Sequence, residues 1–324
     1  MKKSTRNILI GSGIAVAGLG AVGAASYVIT KKLLQLALDR NAPAFAAKGK
    51  KKKNESEEML EISRAVNAAA ARLEDCDCEE VTITSHDGLK LVGHWYECPN
   101  AKRVVVAMHG WRSSWTFDFG MISEFLHDNG CSVLYAEQRG QNSSEGEYMT
   151  FGMLERYDCL EWIKWVNERC NAELPVYLAG VSMGASTVLM TAGLELPENV
   201  RGIVADCGFT SPNAIWKHVA EKNLHINYEL RGTMIESMCQ KMIQMSAKEC
   251  STIDAMQQCK VPVLFIHGTD DSFVPVTMSY ENYNACASEK RLFVVPKAEH
   301  GLSYYVDTAG YENEVLTFFR KHDK

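Results

Sequence analysis

The chain has 324 residues, of which 46% are hydrophobic and 23% charged, and a formal net charge of −6. Such a composition is ordinary for a globular protein and allows one large core plus an appendage. It excludes a typical nucleic-acid binder, because the basic residues gather in one local run instead of forming a broad cationic footprint.

No charged residue stands between Arg6 and Lys31, and Ile8 to Thr30 is apolar and rich in Gly and Ala. At helical rise this stretch is long enough to cross about 30 Å of hydrocarbon. A cleaved signal peptide, with Ala21 to Ala25 as its small-residue site, would have a shorter apolar region. The length and the basic flank Lys31 and Lys32 favour an uncleaved, single-pass anchor over residues 1–32. Gly20 and Ala24 have the small-xxx-small spacing that lets helices approach closely. Lys2, Lys3 and Arg6 lie before the span, and Arg40, Lys48 and Lys50 to Lys53 after it, so the positive-inside rule leaves the side of the domain open. The second basic run suits either anionic headgroups or a solvated linker.

Residues 33–75 read as a basic linker and, from Ser56 to Leu73, a juxtamembrane helix or a lead-in to the domain, with Leu60, Ile62, Val66 and Ala70 on its apolar positions. A compact domain is expected over 76–324. Val81 and Ile83 alternate with Thr, a turn follows at His86-Asp87-Gly88, and a second strand runs to Trp95. Further strands are expected at Val104 to Met108, Ser132 to Ala136, Val176 to Ala179, Ile203 to Ala205, Val263 to Ile266 and Leu292 to Val295. Helical patterns separate them at Phe119 to His127, Met153 to Val166 and from Ala185, and a last helix lies near Tyr311 to Phe319. An opening hairpin followed by strand–helix units implies an α/β fold with a mostly parallel sheet covered on both faces. About residues 209–258 carry no strand pattern and read as a helical lid. Met234, Met238, Met242 and Met245 recur there at helical spacing, which suits ordinary core packing or an adaptable wall for an acyl chain.

Gly180-Val181-Ser182-Met183-Gly184 fits G-x-S-x-G. By composition alone about one chain of this length in ten carries a match, so its context decides. It follows a strand and precedes a helix, the setting of a nucleophile elbow. The turn is sharp enough that a side chain at Gly180 or Gly184 would crowd the strand and helix, and the Ser backbone is expected to be strained. The helix N-terminus behind Ser182 offers N–H groups to a developing oxyanion. A serine needs a base at neutral pH. His300 follows the Leu292 strand and Asp271 follows the Val263 strand, so a shared sheet edge can bring all three together. Asp271 would orient the imidazole and stabilise its charged form. Asp270 is the second choice of acid and Asp206 the third. His109 and His267, each in an H-G pair, read as loop braces, and Asp158 as structural. Trp111, Trp115 and Trp216 suit a pocket or the core equally.

These residues resemble the α/β-hydrolase superfamily over about residues 80 to 322. Besides the elbow, His109-Gly110-Trp111 resembles its oxyanion loop, and Gln138-Arg139-Gly140-Gln141-Asn142-Ser143 its R-G-x-G-x-S loop, with Asn142 in place of the second Gly. Asn tolerates a left-handed backbone, so that turn survives. Gly268 to Pro275 matches G-x-x-D-x-x-V-P, which puts the acid at Asp271. The resemblance implies an eight-stranded sheet with a small lid, and an oxyanion hole built by the Trp111 and Met183 amides. With its apolar N-terminal span, the chain looks most like bacterial membrane-anchored esterase- or lipase-like members, and is similar also to eukaryotic single-span relatives.

The expected chemistry is ester hydrolysis through an acyl-enzyme on Ser182, acting on a small-molecule or lipid-like ester, with no metal or organic cofactor. A peptidase or an acyltransferase would use the same three residues; a membrane-anchored scaffold would have no need of them. The 11 cysteines are odd in number and irregularly spaced, with only Cys76 and Cys78 close together, and no second cluster completes a zinc site. They read as mostly reduced, buried thiols, in a reducing compartment or an anoxic organism.

Overall fold

Eight strands form one sheet in the computed structural model, which describes residues 25–41 and 56–323. The strands are β1 Glu79–Thr84, β2 Lys90–Tyr96, β3 Arg103–Met108, β4 Cys131–Ala136, β5 Val176–Val181, β6 Val200–Asp206, β7 Val263–Gly268 and β8 Lys290–Val295. Their spatial order is β1-β2-β4-β3-β5-β6-β7-β8; β2 is antiparallel to both neighbours and all other pairs are parallel. Every residue of β3, β4 and β7 is buried, as expected of central parallel strands covered on both faces.

The helices are α1 (25–38), α2 Glu57–Glu74, α3 Trp115–Asp128, α4 Glu155–Arg169, α5 Met183–Thr191, α6 Pro212–His218, α7 Gly232–Met242, α8 Thr252–Gln258, α9 Val276–Ala285, α10 Ser303–Val306 and α11 Thr308–His322. Val104, Val106 and Met108 point to one face of the sheet, where Trp162, Ile163 and Val166 of α4 and Val188 of α5 cover them. Val105 and Ala107 point to the other, against Phe119 of α3 and Val315 and Phe319 of α11. This alternation follows from the two-residue period of a strand. The α3 helix starts at Trp115, ahead of the expected Phe119, because the Ser114 hydroxyl caps it by accepting from Phe117 N at 3.2 Å. The α9 helix has no counterpart in the sequence pattern; its buried positions include the polar Ser279 and Asn282.

Between β6 and β7 the chain forms α6, a π-helical turn at Val219–Asn223, α7 and α8. Met238 is buried there, and Met234, Met242 and Met245 pack partly buried against the same cluster as Phe209 and Trp216. None of these methionines lines a cavity beside Ser182, so the stripe is core packing and not an acyl wall.

Two stretches ahead of residue 76, expected to be linker and juxtamembrane helix, are packed on the sheet domain. Val66, Ala69 and Leu73 of α2 are buried, and α2 approaches α3 so closely that a Cβ on Gly120 would lie 2.7 Å from the Ala69 carbonyl carbon. In α1, Thr30, Leu34 and Leu38 recur every fourth residue and are buried. Met149 N donates to Leu38 O at 2.7 Å, and Asp39 bridges to Tyr148. An amphipathic turn directly after an apolar run reads in sequence as the end of that run, which hid this docking. The expected span lies outside the described residues except for 25–30. Among the described residues no helix is long and apolar enough to cross a membrane.

Candidate active site

Ser182 sits between the end of β5 and the first turn of α5, with φ 55° and ψ −116°. Two glycines permit that turn. A Cβ on Gly180 would lie 2.3 Å from the Gly184 carbonyl carbon, and one on Gly184 would lie 1.8 Å from Met108 O. Ser182 N donates to Asp206 O at 2.8 Å, tying the elbow to the end of the adjacent strand β6.

The sheet edge brings together the three residues proposed from sequence. His300 Nε2 lies 2.9 Å from Ser182 Oγ, and His300 Nδ1 lies 2.6 Å from Asp271 Oδ2. A carboxylate only accepts, so Nδ1 carries the proton and Nε2 presents its lone pair to the serine hydroxyl. Ser182 and Asp271 are buried, and the imidazole is partly open to solvent.

Asp271 has a donor for every lone pair it presents. Its Oδ1 accepts from Phe273 N at 2.9 Å and Val274 N at 2.8 Å. Its Oδ2 accepts from His300 and also from His267 Nε2, at 3.1 Å. His267 Nε2 lies 2.9 Å from Val274 O too, and a carbonyl can only accept, so this nitrogen is an N–H. Burial by itself would raise the Asp271 carboxyl; the hydrogen bonds from His267 and His300 outweigh it and hold the group far below the ordinary carboxylate range.

The other acids stand apart. Asp270 is exposed and accepts from Thr269 Oγ1. Asp206 is buried with its Oδ1 3.3 Å from Ser303 Oγ, and burial pushes its carboxyl up to about 6. Asp158 forms a buried pair with Arg139, whose Nε donates to Oδ2 at 2.5 Å and Nη2 to Oδ1 at 2.6 Å.

Met183 follows Ser182 directly, Trp111 lines the same cleft as Ser182, and neither backbone N–H donates to a turn, loop or cap acceptor. The Trp111 loop is held from three sides. Gly110 N donates to Asp118 Oδ2 at 2.5 Å, and Ser113 Oγ to Asp118 Oδ1 at 2.6 Å. Asn142, at φ 49°, donates from Nδ2 to Ser113 O at 3.0 Å. His109 is fully buried; its Nε2 accepts from Gln138 N at 3.1 Å, which leaves Nδ1–H to donate to Gly110 O at 2.8 Å. From the third side, Trp111 Nε1 donates to Ala37 O at 2.8 Å, and Arg112 Nη2 donates to Leu36 O at 3.0 Å and Asp39 O at 2.5 Å. Sequence reasoning missed Asp118, whose partners Gly110 N and Ser113 Oγ lie close by in a loop with no regular period, and Arg112 and the reach of α1, whose partners are more than 70 residues apart in the chain. Trp115 packs in the core against Tyr135, and Trp216 borders a second cavity.

A cleft of about 570 Å³ contains Ser182, His300 and Trp111 and reaches Met59 and Ile62 of α2 and Tyr304 of α10. Among the described residues two groups bring three possible metal-ligand atoms close together: Cys207, Asp271 and His300, and His86, Asp87 and Asp158. In both, the carboxylates already hold internal donors, in the first the two histidines and in the second Arg139. All 11 cysteines are free thiols, and Cys207, Cys259 and Cys286 are among the buried ones.

Comparison with known proteins agrees with this architecture. Residues 99–239 match the family model described as serine aminopeptidase, S33. The uncharacterized protein YqkD of Bacillus subtilis (strain 168) is 25% identical over 73% of this chain and 77% of its own length. The uncharacterized protein YfhR of Escherichia coli (strain K12) is 24% identical over 74% of this chain and 80% of its own. Among solved structures, the Pyrococcus furiosus esterase Pf2001 superposes with a TM-score of 0.62 at 23% identity, covering 78% of this chain and 96% of the esterase. An acylaminoacyl peptidase from Pyrococcus horikoshii gives a TM-score of 0.55 at 16% identity, over 76% of this chain and 42% of the peptidase. The chain has the α/β-hydrolase fold.

Proposed function

We propose that this chain, an α/β hydrolase by fold, is a serine hydrolase that cleaves carboxylic esters through an acyl-enzyme on Ser182. One observation carries the reading: the 2.9 Å and 2.6 Å links that join Ser182 Oγ to His300 and His300 to Asp271, on a backbone held at positive φ. A residue strained in this way persists only where its surroundings over-determine it, and such positions cluster at active sites.

In the proposed reaction His300 Nε2 takes the Ser182 proton as Oγ attacks the ester carbonyl. The imidazolium is stabilised by the Asp271 carboxylate, which its four donors keep ionised. The carbonyl oxygen, now negative, is received by the Trp111 and Met183 N–H groups, aided by the α5 N-terminus. His300 then protonates the departing alkoxide. A water activated by the same imidazole attacks the acyl-enzyme, releasing the acid and returning the proton to Ser182. An amide would follow the same steps with a poorer leaving group, and the match to an aminopeptidase family model keeps that reading as the second one.

Membrane attachment through residues 1–32 is part of the proposal and rests on the uncharged run Ile8 to Thr30. Retention of the full chain in the membrane fraction after high-salt and carbonate washes supports it; release by carbonate contradicts it.

The test of the chemistry uses nitrophenyl esters of graded acyl length, aminoacyl and acylaminoacyl nitroanilides, and a fluorophosphonate label. Ester turnover and labelling that both vanish in Ser182→Ala support the esterase reading. Nitroanilide turnover without ester turnover transfers the site to a peptidase. Absence of labelling removes the activated serine.

A further inference from the structure

Trp111 and Phe273 line the large cleft that holds Ser182, and they also line a second cavity of about 100 Å³. Their rings stack at 6.3 Å with planes 17° apart, and Phe273 lies 5.1 Å from the His300 ring. The two cavities therefore meet at one aromatic pair beside the reacting atoms. On its far side the small cavity is walled by Leu33, Leu36 and Ala37 of α1, and opposite them by Ile215, Trp216 and Ile235 of the segment between β6 and β7.

The lining is almost wholly apolar. The polar ends of two bordering side chains are engaged elsewhere: Tyr228 donates to Asn213 Oδ1 at 3.0 Å and Arg231 Nη1 to Asn227 O at 2.5 Å. Two donors are left open, one of them the Arg231 Nε–H, which is buried without an acceptor among the described residues. The Trp216 indole N–H is buried and has no acceptor among the described residues. A dry apolar cavity of about 150 Å³ is known to hold benzene, so this one is sized for a short alkyl group.

The wall built by α1 is tied to the proposed oxyanion loop. Trp111 Nε1 and the Arg112 guanidinium both donate to carbonyls at the end of α1. Leu34 of the same helix also lines the cavity, and Leu38, one turn on, is fully buried. The geometry points to a subsite: the cavity between α1 and the lid takes a short aliphatic arm of the substrate, and α1 is the element that sets the permitted length of that arm. An acceptor oxygen on the arm would complete one of the two open donors, Trp216 Nε1–H or Arg231 Nε–H. The kinetic half of this inference rests on the serine-esterase reading; the binding half does not.

The experiment uses the full chain in detergent micelles, with Ala37→Leu to fill the cavity and Leu36→Ala to enlarge it. Two ester series are compared, one lengthening the acyl arm and one the alcohol arm. In the arm that enters the cavity, Ala37→Leu is expected to lower the four-carbon over two-carbon ratio of kcat/KM by roughly tenfold or more, the range a methylene commands in an apolar pocket. Leu36→Ala is expected to move the optimum to a longer arm. A merely structural disturbance would lower all esters by one common factor in both variants. In parallel, n-alkyl alcohols of graded length are titrated into the Ser182→Ala protein, with and without Ala37→Leu, following tryptophan emission. A fall of about tenfold in four-carbon affinity on filling the cavity supports the subsite even if no ester is hydrolysed, in which case only the esterase reading fails. Length profiles and affinities that are the same in all variants overturn the subsite.

Discussion

His267 and His300, thirty-three residues apart in sequence, donate to the same oxygen of one carboxylate, Asp271 Oδ2, at 3.1 and 2.6 Å. His300 faces Ser182 and His267 is buried on the far side of Asp271, with Nδ1 2.7 Å from Ser279 Oγ. His267 thus positions Asp271 without reaching the reacting atoms.

Replacing His267 by Ala removes one hydrogen bond to a charged group, about 1.5–3 kcal/mol. In the proposed reaction kcat is expected to fall roughly tenfold to a hundredfold with KM little changed, because the lost contact orients Asp271 and does not touch substrate. The sign with pH follows from the depressed Asp271 carboxyl, whose ordinary value is 3.8. Its stabilising contribution is complete above that ordinary value and is lost as pH falls toward the lower folded one. Loss of a donor weakens the depression, so acid unfolding of the variant begins at higher pH. Wild-type kcat in His267→Ala would show that two donors on one oxygen are redundant.

Asp118 joins Gly110 N and Ser113 Oγ on either side of Trp111. Asp118→Ala leaves a buried N–H without acceptor, at about 1–3 kcal/mol, and loosens the loop that carries the Trp111 amide. We expect kcat to drop by at least about tenfold and Asp118→Asn, which keeps an acceptor oxygen, to recover part of it. Equal losses in the two variants would mean that charge, and not loop geometry, matters there.

Arg112 closes the C-terminal end of α1 by donating to Leu36 O and Asp39 O. Cationic side chains suit that end of a helix. In Arg112→Ala the backbone amides of residues 33–40 are expected to lose about tenfold in hydrogen-exchange protection, while those of β3 and β5 keep theirs. A loss spread evenly over the sheet would place Arg112 in the global core instead.

Asp206 is buried, and burial raises its carboxyl from 3.8 to about 6. Between those values the folded protein binds more protons than the unfolded chain, so stability falls as pH rises through this window and the penalty is complete above it. Asp206→Asn is uncharged throughout. It is expected to flatten the slope of Tm between about pH 4 and 6 and to be more stable than wild type at neutral pH, by on the order of 3 kcal/mol. A parallel displacement of the two curves at all pH values would contradict a titrating Asp206.

All eight strands were legible in the sequence, β1 as Val and Ile alternating with Thr, β2 as the run after the His86-Asp87-Gly88 turn, and the other six as short apolar runs between helical or turn patterns. The elbow was legible for a different reason: Gly180 and Gly184 stand where backbone atoms approach within 2.3 and 1.8 Å of a would-be Cβ, and only glycine survives there. Ser182, His300 and Asp271 follow three strands whose ends share an edge, so chain order alone placed them near one another. Three other matters needed the fold. The methionine stripe had two uses in sequence, and only packing chose the core. His267 had no sequence feature that set it apart from His109; both brace loops, but only His267 does so through the Asp271 carboxylate. Residues 33–40 looked like a linker because their partners, Trp111, Arg112 and Met149, lie more than 70 residues later in the chain. Local chemistry fixes strands, turns and caps, whose partners are a few residues away. The walls of the two cavities are made by contacts between distant segments, and these exist only once the sheet has brought the segments together.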